Sequence, residues 1–354
     1  MVRIGAYLLA FVMALGIAGP AAARPIVSSS SADGYGANGY GEDGGNQLDV
    51  WLKAGMLRGD STYTIGGTVS DNEGNRGEIW DPLSELKWPL DVVIVSLGGK
   101  VEFGRFSVRG EIMKNATSDA GDMEDSDWGI YYGNFGPNPA PGYNFSTTTK
   151  DVFSTSSTEL DAWIVDFRGR FAVWRGARFS TNVGLGFRYQ KFSMVASDVH
   201  QYSPSFYDYH LDTVFPSDPY AYDNPGKVGT YEVTYTIPFA ELSGMYRFGT
   251  MLSLEGSLGY SPFVQAKDRD DHLLRSKLSE GSDSGSAWLF DLTLRLQATT
   301  HWFAAVGVSG LFIDTSGTQK QSYYGGENAG YQATIDQTIT SSQTCGSLEV
   351  GYSF

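Results

Sequence analysis

The chain has 354 residues, of which 25 are Lys or Arg and 40 are Asp or Glu, so its formal net charge is −15. This acidity argues against a nucleic-acid partner, because phosphate groups would be repelled. The one cysteine, Cys345, cannot form an internal disulfide, which excludes a small disulfide-stabilised scaffold. Forty-four glycines and 14% aromatic residues beside only 18% charged residues favour an outer-membrane β-barrel.

The first 46 residues are expected to lie outside the folded domain. A basic residue, an apolar run and three small residues give residues 1–23 the form of a secretory signal peptide. Residues 24–46 are rich in Ser and Gly and too polar to pack a core, which predicts a disordered segment. No later run approaches the roughly 20 apolar residues of a membrane helix, so residues 47–354 are expected to form the barrel.

Alternation of apolar and polar residues, which is typical of half-buried strands, begins near residue 47. The alternating stretches predict ten strands: 47–66, 84–103, 106–117, 158–174, 178–198, 230–247, 251–267, 286–299, 302–313 and 336–354. In the last of these, the alternation places Val350 on the lipid side. A secreted β-sandwich or a solenoid would also contain many strands and remains the competing architecture.

The predicted connections alternate in length, which favours the barrel. Short turns near residues 104, 176, 249 and 300 alternate with long connections near 67–83, 118–157, 199–229, 268–285 and 314–335. Outer-membrane barrels have short periplasmic turns and longer extracellular loops. We therefore predict an all-β fold: a ten-stranded antiparallel transmembrane β-barrel with long extracellular loops, in the cell outer membrane.

Two acidic motifs follow strands that run in the same direction. Residues two apart in an extended chain share a face, so Asp125 and Asp127 form a carboxylate pair. Asp270 and His272 likewise share a face, where Asp270 can orient the imidazole and raise its basicity. Neighbouring charges can raise the pKa of one carboxyl group of the pair. Acidic loop tips without a function are the alternative interpretation of both motifs.

The other histidines give weaker signals. His200 and His210 lie ten residues apart in the third long connection, with Asp198 and Asp208 nearby, and could ligate a metal ion. Their spacing favours ordinary hydrogen bonding instead, so no metal site is predicted. His301, beside Trp302 in a short turn, is expected to be an interfacial residue.

The sequence resembles the omptin family of bacterial outer-membrane endoproteases. The matching segments are Asp125-Ser126-Asp127-Trp128, Asp268-Arg269-Asp270-Asp271-His272, Arg275-Ser276-Lys277, Ser84-Glu85-Leu86-Lys87-Trp88 and Ser243-Gly244-Met245-Tyr246-Arg247. The resemblance implies a barrel that protrudes above the membrane with a proteolytic groove at its top. It also implies catalytic positions for Asp125, Asp127, Asp270 and His272, polypeptide substrates, outer-membrane lipid as surroundings, and no cofactor.

The roles implied by the resemblance are specific. His272 would be the general base, oriented by Asp270, and water would attack the peptide bond without an acyl-enzyme. Asp125 and Asp127 would hold that water, one of them protonated so that an oxyanion is tolerated. A histidine base predicts a rate that rises with pH in the ordinary range of His, about 5 to 8.

The sequence departs from the family pattern at the substrate site. Of the two acidic residues that bind a basic side chain in the family, only Asp268 has a match, and the strand-one position is Tyr63. Asp60 and Glu78 are the alternatives for the second acid, so a preference for basic residues stays open.

Two further departures from the family pattern concern the lipopolysaccharide-binding residues and the substrate groove. In the basic cluster that binds lipopolysaccharide, Lys191 matches, but Thr234 and Ser279 replace basic residues. An insertion at 131–152 is expected to narrow the groove.

Two other functions are compatible with a barrel. A non-catalytic barrel could bind or adhere through the aromatic residues of the third long connection, since such residues form contact surfaces. These residues are Tyr202, Phe206, Tyr207, Tyr209, Tyr220 and Tyr222. A porin is disfavoured, because small barrels fill their interior with side chains. We expect a monomeric endopeptidase.

Overall fold

The computed structural model describes residues 47–128, 150, 152–203, 206–208, 213–215 and 220–354, all within the compact unit Tyr40–Phe354. The predicted signal peptide, the predicted disordered segment and most of the 131–152 insertion lie outside the described residues. The strands are β1 (Gln47–Asp71), β2 (Arg76–Pro89), β3 (Val92–Phe103), β4 (Phe106–Asn115), β5 (Asp119–Asp127), β6 (Val152–Arg175), β7 (Phe179–Ser203), β8 (Phe206–Asp208), β9 (Thr213–Phe215), β10 (Tyr220–Arg247), β11 (Leu252–His272), β12 (Lys277–Gln297), β13 (Trp302–Tyr323) and β14 (Gln332–Ser353).

Twelve of these strands form one closed antiparallel ring. The hydrogen-bonded order is β14-β13-β12-β11-β10-β7-β6-β4-β3-β1-β2-β5, and pairings of β14 with β1 and of β5 with β6 close the sheet. The closing register runs from Asp49 opposite Ser353 to Asp71 opposite Ala333. Since β2 continues into β3 and β4 into β5 as interrupted walls, the ring has ten walls, as the sequence predicts. The short strands β8 and β9 pair only with each other.

The four predicted short turns are confirmed, but the strands extend further than predicted at the other end. β1 and β2 are separated by residues 72–75, β11 and β12 by 273–276, and β13 and β14 by 324–331. These three predicted long connections are therefore mostly strand, and so is the predicted connection 199–229, which contains the end of β7, β8, β9 and the start of β10. Prediction failed there because inward and outward residues are both often polar, so the apolar alternation disappears while the backbone ladder continues.

The outer surface carries an apolar belt at the end of the barrel with the short turns. Leu52, Phe167, Leu185, Leu258 and Leu348 point outward and are each more than half exposed. The outward residue Val350 is 56% exposed, as the predicted register requires. No helix in the described ranges is long and apolar enough to cross a membrane.

Beyond the belt the outward residues become polar, so this part of the barrel rises out of the hydrocarbon layer. Among them are Arg58, Glu159, Lys191, Lys267 and Asp314.

The strands of the barrel are interrupted at the same height above the belt. Pro89 ends β2, Ala116–Ser118 interrupt the third wall, and β10 and β11 lose register around Pro238. Proline cannot donate to a ladder, which explains the first and last of these breaks.

The interior is filled in layers. At the level of the belt, Arg168 bonds Asp166, Glu241 and Asp291, and Arg170 bonds Glu241. This network surrounds a cavity of about 60 Å³. An apolar layer follows, which includes Phe192, Tyr235, Ile237, Val264 and Ile339. Along the described part of the barrel, these layers leave no wide channel, in agreement with the argument against a porin.

Placing a charge on the belt should impair assembly. Leu348→Arg should destabilise the barrel by about 2–4 kcal/mol if it lies near the bilayer midplane. Thr340→Arg, on the same strand but outward above the belt, is the matched control and should cost far less. Heat-modifiable gel migration and urea unfolding in lipid vesicles measure both. Equal stability of the two variants would contradict the position of the belt.

Candidate active site

An Asp–His pair lies at the end of β11, above the belt. Asp270 is 2% exposed, and its Oδ2 lies 2.6 Å from Nε2 of His272. The Tyr63 hydroxyl of β1 donates a hydrogen bond to the same oxygen. The predicted juxtaposition of Asp270 and His272 is therefore present, and it occurs in strand rather than loop.

The second ring nitrogen of His272 faces an arginine. Nδ1 lies 3.1 Å from Nη2 of Arg275, which ends the 3₁₀ turn Leu273–Arg275. A guanidinium can only donate, so Nδ1 is the acceptor and Nε2 carries the proton towards Asp270. This tautomer leaves the basic lone pair of His272 on the side of the imidazole away from Asp270.

The surroundings keep His272 neutral and Asp270 charged. Burial, together with the positive charges of Lys277 and Arg275, outweighs the attraction of Asp270 and lowers the pKa of His272 to about 4. Burial alone would raise the pKa of Asp270, but the charge and hydrogen bond of His272, the charge of Lys277 and the Tyr63 hydroxyl lower it overall. At neutral pH the imidazole is thus available as a base.

The carboxylate pair lies on β5, where Asp127 pairs in register with Ser84 and Asp125 with Leu86 of β2. Burial raises the pKa of Asp127, although Arg275 and a hydrogen bond from Ser84 oppose this rise. Burial and the charge of Asp127 raise the pKa of Asp125 well above its ordinary value. Asp125 is therefore the member of the pair that binds a proton more readily, and its buried Oδ1 has no hydrogen-bond partner in the described part of the chain.

A lysine completes the polar layer. Lys277 begins β12 opposite His272 and is 6% exposed. Burial and the charge of Arg275 lower its pKa to about 8, against the attraction of Asp270, Asp127 and Asp125. Within the described residues no carboxylate lies at ion-pair distance from its ammonium group.

Asp268 lies below Asp270 on the same inward face. Its Oδ1 accepts a hydrogen bond from Nε2 of Gln337 at 3.0 Å, and Asp283 Oδ2 lies 3.4 Å from the same nitrogen. Burial raises the pKa of Asp268 to about 7 and that of Asp283 to about 6. This approach requires glycine at 281, because a Cβ there would overlap Asp268 and Gln337.

Neither alternative for the second acid lies beside Asp268. Asp60 points outward, with Oδ2 3.9 Å from Nζ of Lys87, and Glu78 is exposed near the β1–β2 turn. Asp283, which sequence reasoning missed, is the acidic residue beside Asp268, because both carboxylates lie within 3.4 Å of Nε2 of Gln337. Of the positions compared with the family's lipopolysaccharide-binding residues, Ser279 is fully buried, whereas Lys191 points outward and pairs with Glu232 at 2.8 Å.

The remaining histidines are distant from this layer. His200 Nδ1 lies 2.5 Å from Asp223 Oδ1 on an exposed part of the β7–β10 pair, and His210 is outside the described residues. In the ranges that the structure covers, no three His, Cys, Asp or Glu side chains form a metal-binding group. His301 stacks on Tyr352 at the turn end of the belt, consistent with its interfacial prediction.

Aromatic side chains support the Asp270 carboxylate from beneath. Tyr231, opposite Asp270 on β10, stacks on Trp88 and contacts Tyr63 at ring distances of 5.3 Å. Sequence reasoning treated Tyr63 only as a missing acid and gave Arg275 and Lys277 no role. A signal for Arg275 and Lys277 was available in the sequence. Both residues follow His272 within five positions and carry positive charges close to the acidic motif.

Comparison with known proteins identifies the family. The Omptin family model matches residues 46–302. The chain belongs to the omptin family. Membership places it in the outer membrane, among proteases that act on peptide substrates. No curated protein sequence matches it.

Solved structures show the fold of this omptin. The crystal structure of the outer membrane protease OmpT from Escherichia coli is 15% identical with a TM-score of 0.69, and the match covers 87% of this chain and 97% of that one. The translocator domain of the autotransporter NalP from Neisseria meningitidis is 10% identical, with a TM-score of 0.35 and coverage of 87% and 88%. The second similarity is too low to support an argument.

Removing the charge of Arg275 should raise the pKa of His272. Arg275→Gln deletes one of the cations that disfavour the imidazolium, so the titration midpoint should move upward from about 4. NMR titration of histidine-labelled protein in micelles measures it. Arg269→Gln, which removes an exposed guanidinium paired with Glu280 on the outer face, is the control and should leave the midpoint unchanged. A lower midpoint in Arg275→Gln would contradict the assignment.

Proposed function

We propose that this omptin is an aspartyl/histidyl-type endopeptidase that hydrolyses peptide bonds with a water molecule activated by His272. The observation that carries the proposal is the Asp270–His272 pair facing Asp125 and Asp127 in one polar layer beyond the membrane belt. The charge of Asp270 contributes to the raised pKa of Asp125, which supports placing the two motifs, 145 residues apart in sequence, in the same layer.

In this mechanism the proton of the attacking water is transferred to Nδ1 of His272. Asp270 fixes the Nε2–H tautomer, so the water must lose its proton to Nδ1 of His272. In the free protein Arg275 occupies that nitrogen, and substrate binding has to displace its guanidinium so that water can take its place. Arg275 is exposed at the end of a short turn, where such a movement costs little packing.

Asp127 and Asp125 have different proposed roles because they differ in protonation state. Asp127, hydrogen-bonded by Ser84, remains the more acidic member and can accept a hydrogen bond from the attacking water. Asp125 is protonated and can donate, so it does not repel the charge that develops on the substrate carbonyl. Two charged carboxylates at this position would oppose that charge.

The substrates are polypeptides, and Asp268 is proposed to bind a substrate side chain. It lies on the same face as Asp270 but deeper in the barrel, and its buried Oδ2 has no donor in the described part of the chain. Together with Asp283 it favours a basic side chain next to the cleaved bond. We further propose a monomer whose belt contacts outer-membrane lipid; lipopolysaccharide is retained as a candidate, with Lys191 as its contact.

Loss of the base should abolish hydrolysis. The refolded chain, supplied with a peptide library in lipopolysaccharide-containing micelles, should cleave peptides, and His272→Ala should lower kcat/KM by about 10²–10⁴-fold. Asp125→Ala should also be strongly impaired. His301→Ala and Asp122→Asn, on the turn and on the outer face of β5, are matched controls and should remain active. A folded parent that binds peptides through its exposed Tyr202 and Tyr222 without cleaving any would favour the adhesion alternative.

The pH profile should distinguish this buried histidine from an ordinary one. The base works when neutral, so kcat should stay level at neutral pH and fall as the pH drops through the His272 pKa of about 4. Saturating substrate is used, because the raised pKa values of Asp268 and Asp283 affect substrate binding and therefore kcat/KM. This limb lies below the range of 5 to 8 expected from the sequence. Initial rates between pH 3 and 8 with an unchanged fold test it. An acid limb near 6.5 would mean that His272 is solvated in the active enzyme.

A further inference from the structure

Lys277 is the cation of the polar layer for which the described residues offer neither a hydrogen-bond nor an ion-pair partner. Asp270 has Tyr63 and His272, Asp127 has Ser84, and Arg275 has His272. The ammonium group of Lys277, on a residue that is 6% exposed, has no carboxylate within 4 Å in the described part of the chain. An ammonium group on a residue that is almost fully buried loses most of its hydration, so its retention without a partner needs a reason.

The position of Lys277 supplies that reason. It lies opposite His272 in the β11–β12 register, and its electrostatic field acts on Asp270, Asp127 and Asp125. With Asp125 protonated and His272 neutral, the two carboxylates of Asp127 and Asp270 balance the two cations of Arg275 and Lys277. Any negative charge that develops on the substrate therefore forms beside an ammonium group that no carboxylate in the described residues neutralises by direct contact.

We propose that Lys277 is a further catalytic residue, which donates a hydrogen bond from its ammonium group to the carbonyl oxygen of the scissile bond and stabilises the oxyanion. The inference rests on the proposed function, because it assigns a role within the same hydrolysis. A preorganised donor in a site that excludes water is worth more than one in bulk solvent.

The water oxygen bonds to the carbonyl carbon, its proton passes to Nδ1 of His272, and the carbonyl π electrons move to the oxygen beside Lys277. The tetrahedral intermediate then collapses: the oxygen lone pair re-forms the carbonyl bond, the carbon–nitrogen bond breaks, and the imidazolium proton goes to the leaving amine. Lys277 keeps its own protons throughout, so it must be charged when the oxyanion forms.

Arg275 and Asp125 fit this role less well. Arg275 is exposed and must leave Nδ1 before water can reach it. Asp125 contributes a neutral hydroxyl, which stabilises an oxyanion less than a cation does. Lys277 is held by its position at the start of β12 and needs no movement.

The charge of Lys277 also predicts a basic limb in the pH profile. The groups that face it are Arg275 in the turn, Asp270 and His272 on β11, Asp125 and Asp127 on β5, and Tyr323 opposite it on β13. Its pKa is lowered to about 8, so activity should fall as pH rises through that value while the fold persists. Arginine at position 277 would stay charged, so Lys277→Arg should no longer lose activity as the pH rises through about 8.

The test compares Lys277→Met and Lys277→Arg with Lys267→Met in the refolded full chain. Lys267 lies ten residues earlier, exposed on the outer face of β11, so its variant removes the same charge outside the site. Lys277→Met should lower kcat by about 10²–10³-fold, the usual cost of losing an oxyanion donor, with KM little changed. It should also bind a phosphinic peptide, whose tetrahedral anion mimics the intermediate, correspondingly more weakly. Lys267→Met should match the parent.

The outcomes separate this inference from the proposed function. Retention of kcat and of phosphinate affinity by a folded Lys277→Met, while His272→Ala is inactive, would overturn the role of Lys277 alone. If Lys277→Met does not fold, Lys277→Arg decides: a basic limb that persists near pH 8 in this variant refutes the proposal, and its disappearance with activity retained supports it. A parent that cleaves no peptide would refute the proposed function itself.

Discussion

The buried carboxylate of Asp270 determines much of the arrangement around it. A charged carboxylate that is 2% exposed needs hydrogen bonds to replace its lost hydration, and Tyr63 and His272 donate both of them to Oδ2. Because His272 must donate, its proton sits on Nε2 and its lone pair points away. The tautomer and orientation of the proposed base thus follow from the desolvation of its neighbour.

The barrel holds this charged layer away from the hydrocarbon of the membrane, where buried charges would be costly. The charged network of Arg168 and Arg170 lies at belt level, and an apolar layer separates it from Asp270 above. Tyr63, Trp88 and Tyr231 close the top of that apolar layer with stacked rings. Burial raises the pKa of Asp125 and lowers those of His272 and Lys277, which is the combination that the proposed hydrolysis at neutral pH uses.

The sequence was most informative where one face of each strand is apolar. Alternation predicted the ten walls and the outward position of Val350, since lipid selects strongly against polar residues. Parity also predicted that Asp270 and His272 share a face. It failed above the belt, where four predicted loops are mostly strand. It also could not show that Tyr63 on β1 meets Asp270 on β11 or that Asp283 meets Asp268. Such contacts depend on the register of several walls at once.

The central claim is that water attacks the substrate directly, without a protein nucleophile. Ser84, which hydrogen-bonds Asp127, is the alternative that the site offers. Rapid acid quenching of a single turnover, followed by mass spectrometry of the intact protein, distinguishes the two. Direct attack predicts that the protein mass stays unchanged at every time point while cleaved peptide accumulates. A transient mass increase equal to the acyl portion of the substrate, and its loss in Ser84→Ala, would contradict the account.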